Sequence, residues 1–529
     1  MSYALQGSTA ILHYDGLTLF SNLLTVTAEN FLLKMKLLIA NRGEIALRII
    51  RTCRKLGIRT VLVYSEPDEG SLPLRFADER YPLAGSTPAE TYLNIPKLIN
   101  AAMETSCDTV HPGYGFLSED ERFVRTCEEN DLVFIGPSSA ALEKLGNKLQ
   151  ARRTMKESGV PVIPGSDRPL KDEDEAVRMA NDIGYPVILK AVYGGGGRGM
   201  RVANSPEEAR NFFRITRLES HSAFGREEVY IEKRLQNPRH VEIQAIADKR
   251  GKVVSLGERE CSIQRRHQKL LEEAPSVALD GELREQLNDA AKKGLSVAGY
   301  TNAGTVEFLL EKSGEFYFLE VNKRLQVEHL VTELTTGLDI VEEQLKVAST
   351  MNLDLSQSEV HVKGWAINCR INAEDPRQNF APSPGKVFIY HPPSGPGIRI
   401  DSALFSGCDI PECYDSLIAK LSVHGTNRSD AIRRMKVALD ELEILGIPTT
   451  VLLHRDLMRD EGFIRGDFDT TYLNKVLPTL KSSINEFEKI AAVVAAVEKA
   501  KTSSIHPKCM RGPSSRWRTV ARTHLMTGK

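Results

Sequence analysis

Glu307 in the run Gly304-Thr305-Val306-Glu307-Phe308, and the pair Glu320 and Asn322 in Phe318-Leu319-Glu320-Val321-Asn322, point first to chemistry. Glu320 and Asn322 stand two apart on an apolar run that reads as a strand, so they project to the same side. Hard oxygen ligands of this kind suit Mg²⁺ bridging nucleotide phosphates. Their neighbours are apolar, which makes free carboxylates costly without a cation; an unliganded cluster on a solvated strand is the competing reading. Directly after them comes Lys323-Arg324-Leu325-Gln326-Val327-Glu328-His329. The same alternation places Arg324, Gln326 and Glu328 on one face. There a guanidinium can hold a planar oxyanion through two hydrogen bonds while the carboxylate takes its proton.

A candidate phosphate site lies upstream, where Lys190 ends an apolar strand just before Tyr193-Gly194-Gly195-Gly196-Gly197-Arg198-Gly199-Met200. Consecutive glycines leave backbone N–H groups free to approach phosphate oxygens that Lys190 can neutralise. Taken alone, the segment reads equally as a ligand-free flexible hairpin. It is not a Walker loop, because no Gly-Lys-Ser/Thr follows and the next element reads as strand. The stretch Gln264-Arg265-Arg266-His267-Gln268-Lys269 adds positive charge. Acidic Glu272 and Glu273 follow it, so nucleic acid is a poor partner, and anion binding requires the stretch to face the acidic cluster.

These groups need elements to position them. Lys36 to Ala40 reads as a strand, Ile45, Ile49, Cys53 and Leu56 recur at helical spacing up to Gly57, and Thr60 to Tyr64 reads as the next strand. This βαβ unit predicts a parallel, doubly wound sheet, with the loop from His111 to Glu119 at the carboxyl ends of its strands. A small α+β lid is expected over about 160–235, with a helix from Asp172 to Ile183, a strand from Pro186 to Val192 and a return strand at Met200-Arg201-Val202. Residues 236 to about 350 read as antiparallel strands with charged groups two apart on one face. A further αβ region follows Gly364. Beyond Lys481 a helix capped by Ser483 and Glu486 leads into a basic tail.

Composition bounds the rest. The 529 residues suggest two to four domains, and 41% hydrophobic with 26% charged residues is the balance of a soluble globular protein. Lys plus Arg (69) nearly equals Asp plus Glu (70), so no global field draws the chain to nucleic acid or an anionic membrane. No apolar run approaches the roughly 20 residues that span a bilayer. The eight scattered cysteines form no C-x-x-C pair and read as reduced thiols of a cytoplasmic protein, mostly core. Leu17 to Leu33 lacks the layout of a signal peptide, and Met35 is expected to be the natural start, with 1–34 an extension.

Five segments, taken together, resemble the biotin carboxylase family of the ATP-grasp superfamily over about Lys36 to Leu477. They are Ile39 to Ala46, His111 to Glu119, Asn237-Pro238-Arg239-His240-Val241-Glu242, Gln326-Val327-Glu328-His329 and Cys369-Arg370-Ile371-Asn372-Ala373-Glu374-Asp375-Pro376. The resemblance implies an α/β and α+β multidomain chain: an N-terminal doubly wound domain over 35–147, an ATP-grasp domain with a glycine-rich lid over 148–350, a C-terminal biotin carboxylase domain over 364–477, and a helical, basic tail over 481–529. It also implies roles. Lys148 and Lys190 would contact ATP phosphates, with Gly196 and Gly197 closing over them. Glu232, Lys233, Arg234 and Leu235 would lie at the adenine, His240 and Gln264 at the ribose and His267 at the phosphates. Glu307, Glu320 and Asn322 would hold Mg²⁺ (or Mn²⁺). Lys269, Arg324, Gln326 and Val327 would bind bicarbonate, with Glu328 as base, and Arg370 would face the ureido oxygen of biotin with Tyr114 nearby.

The biotin itself is expected on a separate carrier protein. Neither Lys34-Met35-Lys36, which abuts a buried strand, nor Arg434-Met435-Lys436, inside a helical pattern, suits an exposed biotinylation hairpin. The implied partners are a carboxyltransferase subunit, a biotin carboxyl carrier protein and a second copy of the chain. Lys323, Leu330 and Cys413 depart from residues usual in the family, as does Pro396 at a position often aromatic in its dimer interface. The ending after Lys481 resembles that of the stand-alone biotin carboxylase chains of pyruvate carboxylase, which makes pyruvate the first expected acceptor and acetyl-CoA or propionyl-CoA the next. An ATP-grasp ligase that joins a carboxylate to an amine, or a noncatalytic nucleotide-binding scaffold, would be expected to lack Arg370 in its context or one of Glu328, Lys269 and the metal carboxylates.

Overall fold

In a computed structural model describing residues 34–192 and 199–478, the first strand, β1 (Lys36–Ile39), is followed by helix α1 (Gly43–Leu56) and strand β2 (Arg59–Tyr64). Gly57 caps α1 with φ +73°, a left-handed conformation that glycine adopts without a Cβ clash. With β3 (Glu79–Pro82), β4 (Thr109–His111) and β5 (Val133–Phe134) they form a five-stranded parallel sheet of order β3-β2-β1-β4-β5. The order reverses between β1 and β4, and the loops leaving these two strands meet there. Such a switch point is where open α/β sheets bind ligands. Asn41, just past β1, donates through Nδ2 to the carbonyls of Pro112 (2.6 Å) and Tyr114 (2.8 Å). Gly113 sits at φ +63°, and a Cβ there would lie 2.9 Å from Asn41 Nδ2, so the approach needs a glycine.

After helix α2 (Lys148–Glu157) comes the small unit expected around the glycine loop: helix α3 (Glu173–Ile183), strands β6 (Val187–Ala191) and β7 (Met200–Ala203), helix α4 (Pro206–Phe224) and strand β8 (Val229–Lys233). The strands pair antiparallel as β7-β6-β8 under α3 and α4. Tyr193 to Arg198, including Gly196 and Gly197, lie outside the described residues, as do 1–33 and the expected tail helix. The elements here belong to one compact unit ending at Leu477.

The largest sheet joins β9 (Arg239–Ala247), β10 (Val253–Arg265), β11 (Gln268–Ala274), β12 (Asn302–Leu310) and β13 (Phe316–Asn322) to β14 (Trp365–Asn372), β15 (Ile398–Ser402) and β16 (Leu417–Gly425). Its order is β13-β12-β9-β10-β11-β14-β16-β15, all eight strands antiparallel. The region after Gly364 therefore extends the same ladder rather than building a separate one. The ladder passes through the pairing of Leu271 with Cys369 and of Glu272 with Asn368. Helix α5 (His329–Thr336), helix α6 (Arg428–Glu441) and the short helix α7 (Val451–Leu457) pack around its later strands. Met435 is fully buried within α6, so the Arg434-Met435-Lys436 string is no hairpin tip. Among the described residues no helix is long and apolar enough to cross a membrane.

Candidate active site

Period-two alternation on β9, β10 and β12 brings polar side chains to one face of a sheet that is otherwise core. Glu307 on β12 is the direct cross-strand partner of Glu320 on β13, and Asn322 pairs with Thr305. Like charges set directly opposite repel. Crowding by surrounding protein, and then Glu307, raise the Glu320 carboxyl above its ordinary range, with Lys148 opposing. Glu320 remains open to solvent. Two facing carboxylates with an amide oxygen beside them fit a hard divalent cation, which relieves this repulsion. Glu307 is the occupied member. Its Oε1 accepts from Lys269 Nζ (2.7 Å), Asn322 Nδ2 (2.6 Å) and Gln326 Nε2 (3.0 Å), and its Oε2 lies 2.8 Å from His240 Nε2. Gln264 Nε2 lies 3.1 Å from His240 Nδ1 on the other side of the ring.

Lys269 is the centre. Its ammonium touches Glu242, Glu307 and Glu328, the last at 2.6 Å. The carboxylates of Glu242, Glu307 and Glu328 would by themselves resemble a metal cage, and the lysine fills it. Burial works against its charge, but the three acids prevail and raise its pKa well above the ordinary lysine range. Glu328 is clamped from the other side by Arg370, whose Nη2 donates to Oε2 at 3.0 Å while Nε donates to Glu272 at 2.6 Å. Burial alone would raise the Glu328 carboxyl, yet Lys269, Arg370 and Arg259 outweigh it and hold it far below the usual carboxylate range.

Strand β13 ends at Asn322, so the alternation expected through Glu328 stops there. Gln326 still reaches Glu307, and Glu328 reaches Lys269. Arg324 turns elsewhere: it donates to the Leu325 carbonyl (3.2 Å) and Asn322 Oδ1 (3.4 Å) and lies 3.6 Å from Glu119. The guanidinium that meets Glu328 is that of Arg370. A helix begins at His329, and its entry turn rather than a strand face sets the loop. Lys323 is tied through its N–H to Glu119 (2.9 Å) in the loop that also holds Tyr114. The Tyr114 ring lies 5.4 Å from Lys420 Nζ, and Lys420 is the cross-strand partner of Arg370 and donates to the Val327 carbonyl at 3.3 Å.

On the lid side, Lys190 pairs with the buried Glu232, which also accepts from Arg152 Nη1 at 3.3 Å. Lys148 opens helix α2 half-buried; burial lowers its pKa, Glu320 opposes, and Lys190 lowers it further. Lys233 donates to the carbonyls of Gly184 (2.8 Å) and Tyr185 (3.3 Å), and the Arg234 N–H donates to Pro186 (3.0 Å). Leu235 is half-buried beyond them. The basic stretch is a two-residue hairpin turn with Arg266 and His267 at φ +49° and +65°. His267 is exposed, and only the flanking Gln264 and Lys269 enter the acidic cluster.

Sequence reasoning missed Glu242 and Arg259, both fully buried. All five guanidinium protons of Arg259 have acceptors: Glu242, Gln244 (2.6 Å), Thr332 (3.0 Å), Thr305 (3.0 Å) and Gln326. The signal was present in His240, Glu242 and Gln244, three polar side chains at alternate positions of a buried strand.

A three-stranded lid beside an antiparallel sheet that carries facing carboxylates, with lysines reaching in from both, defines an ATP-dependent ligase of the ATP-grasp kind. Family models match along the chain: "Biotin carboxylase, N-terminal domain" over residues 34–142, "Carbamoyl-phosphate synthase L chain, ATP binding domain" over 147–356 and "Biotin carboxylase C-terminal domain" over 368–475. Biotin carboxylase 1 of Bacillus subtilis is 53% identical over 439 residues, covering 83% of this chain and 98% of that protein. The A-type subunit of pyruvate carboxylase from Methanothermobacter thermautotrophicus is 47% identical over 480 residues, 87% of this chain and 98% of its own. The biotin carboxylase domain dimer of Hydrogenobacter thermophilus 2-oxoglutarate carboxylase, solved with MgADP, ADP and bicarbonate, superposes with a TM-score of 0.82 at 46% identity, covering 84% of this chain and 98% of that one. The chain belongs to the biotin carboxylase family.

Proposed function

We propose that this site uses MgATP to activate bicarbonate and places the carboxyl group on biotin borne by a separate carrier protein. In this reading residues 35–147 supply the glycine-rich loop with Tyr114, 148–350 bind ATP and bicarbonate, and 364–477 bring Arg370. Glu307, Glu320 and Asn322 hold Mg²⁺ or Mn²⁺, whose charge stabilises that developing on the transferred phosphoryl group. Lys148, Lys190, Gly196, Gly197 and His267 serve the phosphates, Glu232, Lys233, Arg234 and Leu235 the adenine, and His240 and Gln264 the ribose. Bicarbonate lies among Lys269, Arg324, Gln326 and Val327. Glu328 takes its proton, and the resulting oxyanion attacks the γ-phosphorus to give carboxyphosphate and ADP. Carboxyphosphate then yields CO₂ and phosphate; phosphate removes the biotin N1 proton while Arg370 stabilises the ureido oxygen, and N1 captures CO₂.

The observation that carries this reading is the double clamp on Glu328. A carboxylate held that far below its ordinary range is a poor base. The two cations that hold it are the ones assigned to bicarbonate and to biotin, Lys269 and Arg370. As each turns to its substrate, Glu328 loses stabilisation of its charge and its proton affinity rises, so substrate binding itself arms the base. Bicarbonate-dependent ATP cleavage stimulated by free biotin tests the reading. Stimulation by an amine, or binding of nucleotide without cleavage, would replace it with one of the two competing functions.

We further propose a homodimer that works in the cytoplasm with a carrier and a carboxyltransferase subunit, and pyruvate as the final acceptor ahead of acetyl-CoA or propionyl-CoA. The likeness to a pyruvate carboxylase chain over 87% of this one favours pyruvate. Identification of the copurifying subunits decides it.

A further inference from the structure

Strand β14 pairs with β11 only as far as Cys369, so beyond it the edge that carries the Arg370 carbonyl and the backbone of Asn372 has no strand to bond. On the other side Arg370 and Ile371 keep their register with Lys420 and Ala419, and the extra residue of the bulge that follows, Ile418, lies on β16. The open edge of β14 is taken up from outside the sheet. Thr450 Oγ1 donates to the Arg370 carbonyl at 3.1 Å and His454 Nε2 lies 2.8 Å from the same oxygen. The Asn372 N–H donates to Thr450 Oγ1 at 3.0 Å, and the Thr450 N–H donates to the Asn372 carbonyl at 3.1 Å. The start of α7 thus stands in for a missing strand.

Thr450 and His454 are fully buried, and His454 Nδ1 has neither solvent nor a partner. The single proton of a neutral ring must then sit on Nε2, where the carbonyl accepts it. Burial keeps the ring neutral, lowering its pKa to about 4. On its other flank Arg370 spans two carboxylates, Glu272 and Glu328, so a displacement of its backbone would be felt at both.

We propose that Thr450 and His454 are positioning residues for carboxyl transfer to biotin: by capturing the Arg370 carbonyl on the edge of β14 that β11 leaves open, they set where its guanidinium lies between Glu272, Glu328 and the incoming ureido oxygen. Neither residue touches a substrate. The proposal rests on the assignment of Arg370 to biotin made above.

The test uses the purified full-length protein and two assays, carboxylation of free biotin and the slower bicarbonate-dependent ATP cleavage without biotin. His454→Leu lowers kcat for biotin carboxylation roughly 10- to 100-fold, the scale of a misplaced catalytic group, but does not lower the ATP cleavage, since a loosened Arg370 leaves Glu328 the better base, and it keeps the KM for ATP within about threefold. His454→Gln, whose amide can donate from nearly the same place, recovers most of the loss, and Thr450→Val falls between. Equal loss in both assays with His454→Leu, wild-type transfer with that variant, or no recovery with Gln would overturn the proposal. Arg370→Gln separates the underlying assignment. If it lowers both activities equally, Arg370 has no special role toward biotin; if it is selective while His454→Leu is silent, only the positioning role falls.

Discussion

Glu328 and Arg259 show how differently two fully buried charges act at this site. Glu328 is the base we propose, and on that reading Glu328→Gln keeps ATP affinity nearly intact while slowing turnover by about 10² to 10⁴, the usual range for a general base; steady-state rates near wild type at neutral pH would reject the assignment. Arg259 lies beneath, with every donor satisfied. Arg259→Met removes one of the two cations that neutralise Glu242 and the donor to Gln326 Oε1, and costs about 3 kcal/mol, read as a lowered denaturation midpoint; Arg259→Lys restores the charge but not five donors in a fixed fork, and rescues little. That Glu307, Glu320, Asn322 and Glu328 gather was legible in their types and spacing, whereas Lys269 was placed among them only by the family resemblance. Arg259 was not legible, since the charged run Glu258-Arg259-Glu260 on a strand reads as solvent-facing until the opposite strands supply its acceptors. The alternation that would align Arg324 with Glu328 fails because β13 ends at Asn322.

Helix α1 and strand β16 meet in a pair whose chemistry belongs to the elements rather than the reaction. Glu44, in the first turn of α1, lies 3.0 Å from the fully buried Lys420 of β16. Burial raises its carboxyl to about 7 despite Lys420. A folded-state pKa above the unfolded value gives stability that is full below about 4.5 and lost as pH rises through about 7. Glu44→Gln abolishes that dependence, so its stability relative to wild type rises by on the order of 2 kcal/mol between pH 5 and pH 8, measurable by urea denaturation; a constant difference would show that Glu44 titrates normally. At the switch point, Gly113→Ala forces a Cβ against Asn41 at positive φ and costs about 1 to 3 kcal/mol, with Tyr114 displaced. The βαβ unit and the lid's first helix and strands were legible from periodicity. Helix α4 and strand β8 carry weaker patterns, and the merging of β14 and β16 into the ladder is a long-range pairing that no local window encodes.

The whole molecule offers no lysine in a biotinylation hairpin among the described residues. Intact mass after coexpression with a biotin ligase shows no adduct of biotin, and carboxylation needs free biotin or a carrier added in trans; a quantitative adduct would place the carrier function on this polypeptide. The continuous ladder has a further consequence while the chain is being made. Until β14 has left the ribosome, β11 is the open edge of the nascent sheet, with its outer N–H and C=O groups unpaired and ready to recruit a stranger's strand. Glu272 and Glu273 lie on that edge, and two adjacent carboxylates repel such a visitor. The same pair later attracts its proper neighbours, Glu272 bonding Arg370 at 2.6 Å and Glu273 bonding Arg428 at 2.8 Å. The guanidinium assigned to biotin therefore has an earlier duty at synthesis: it neutralises a guard that is needed only until its own strand arrives.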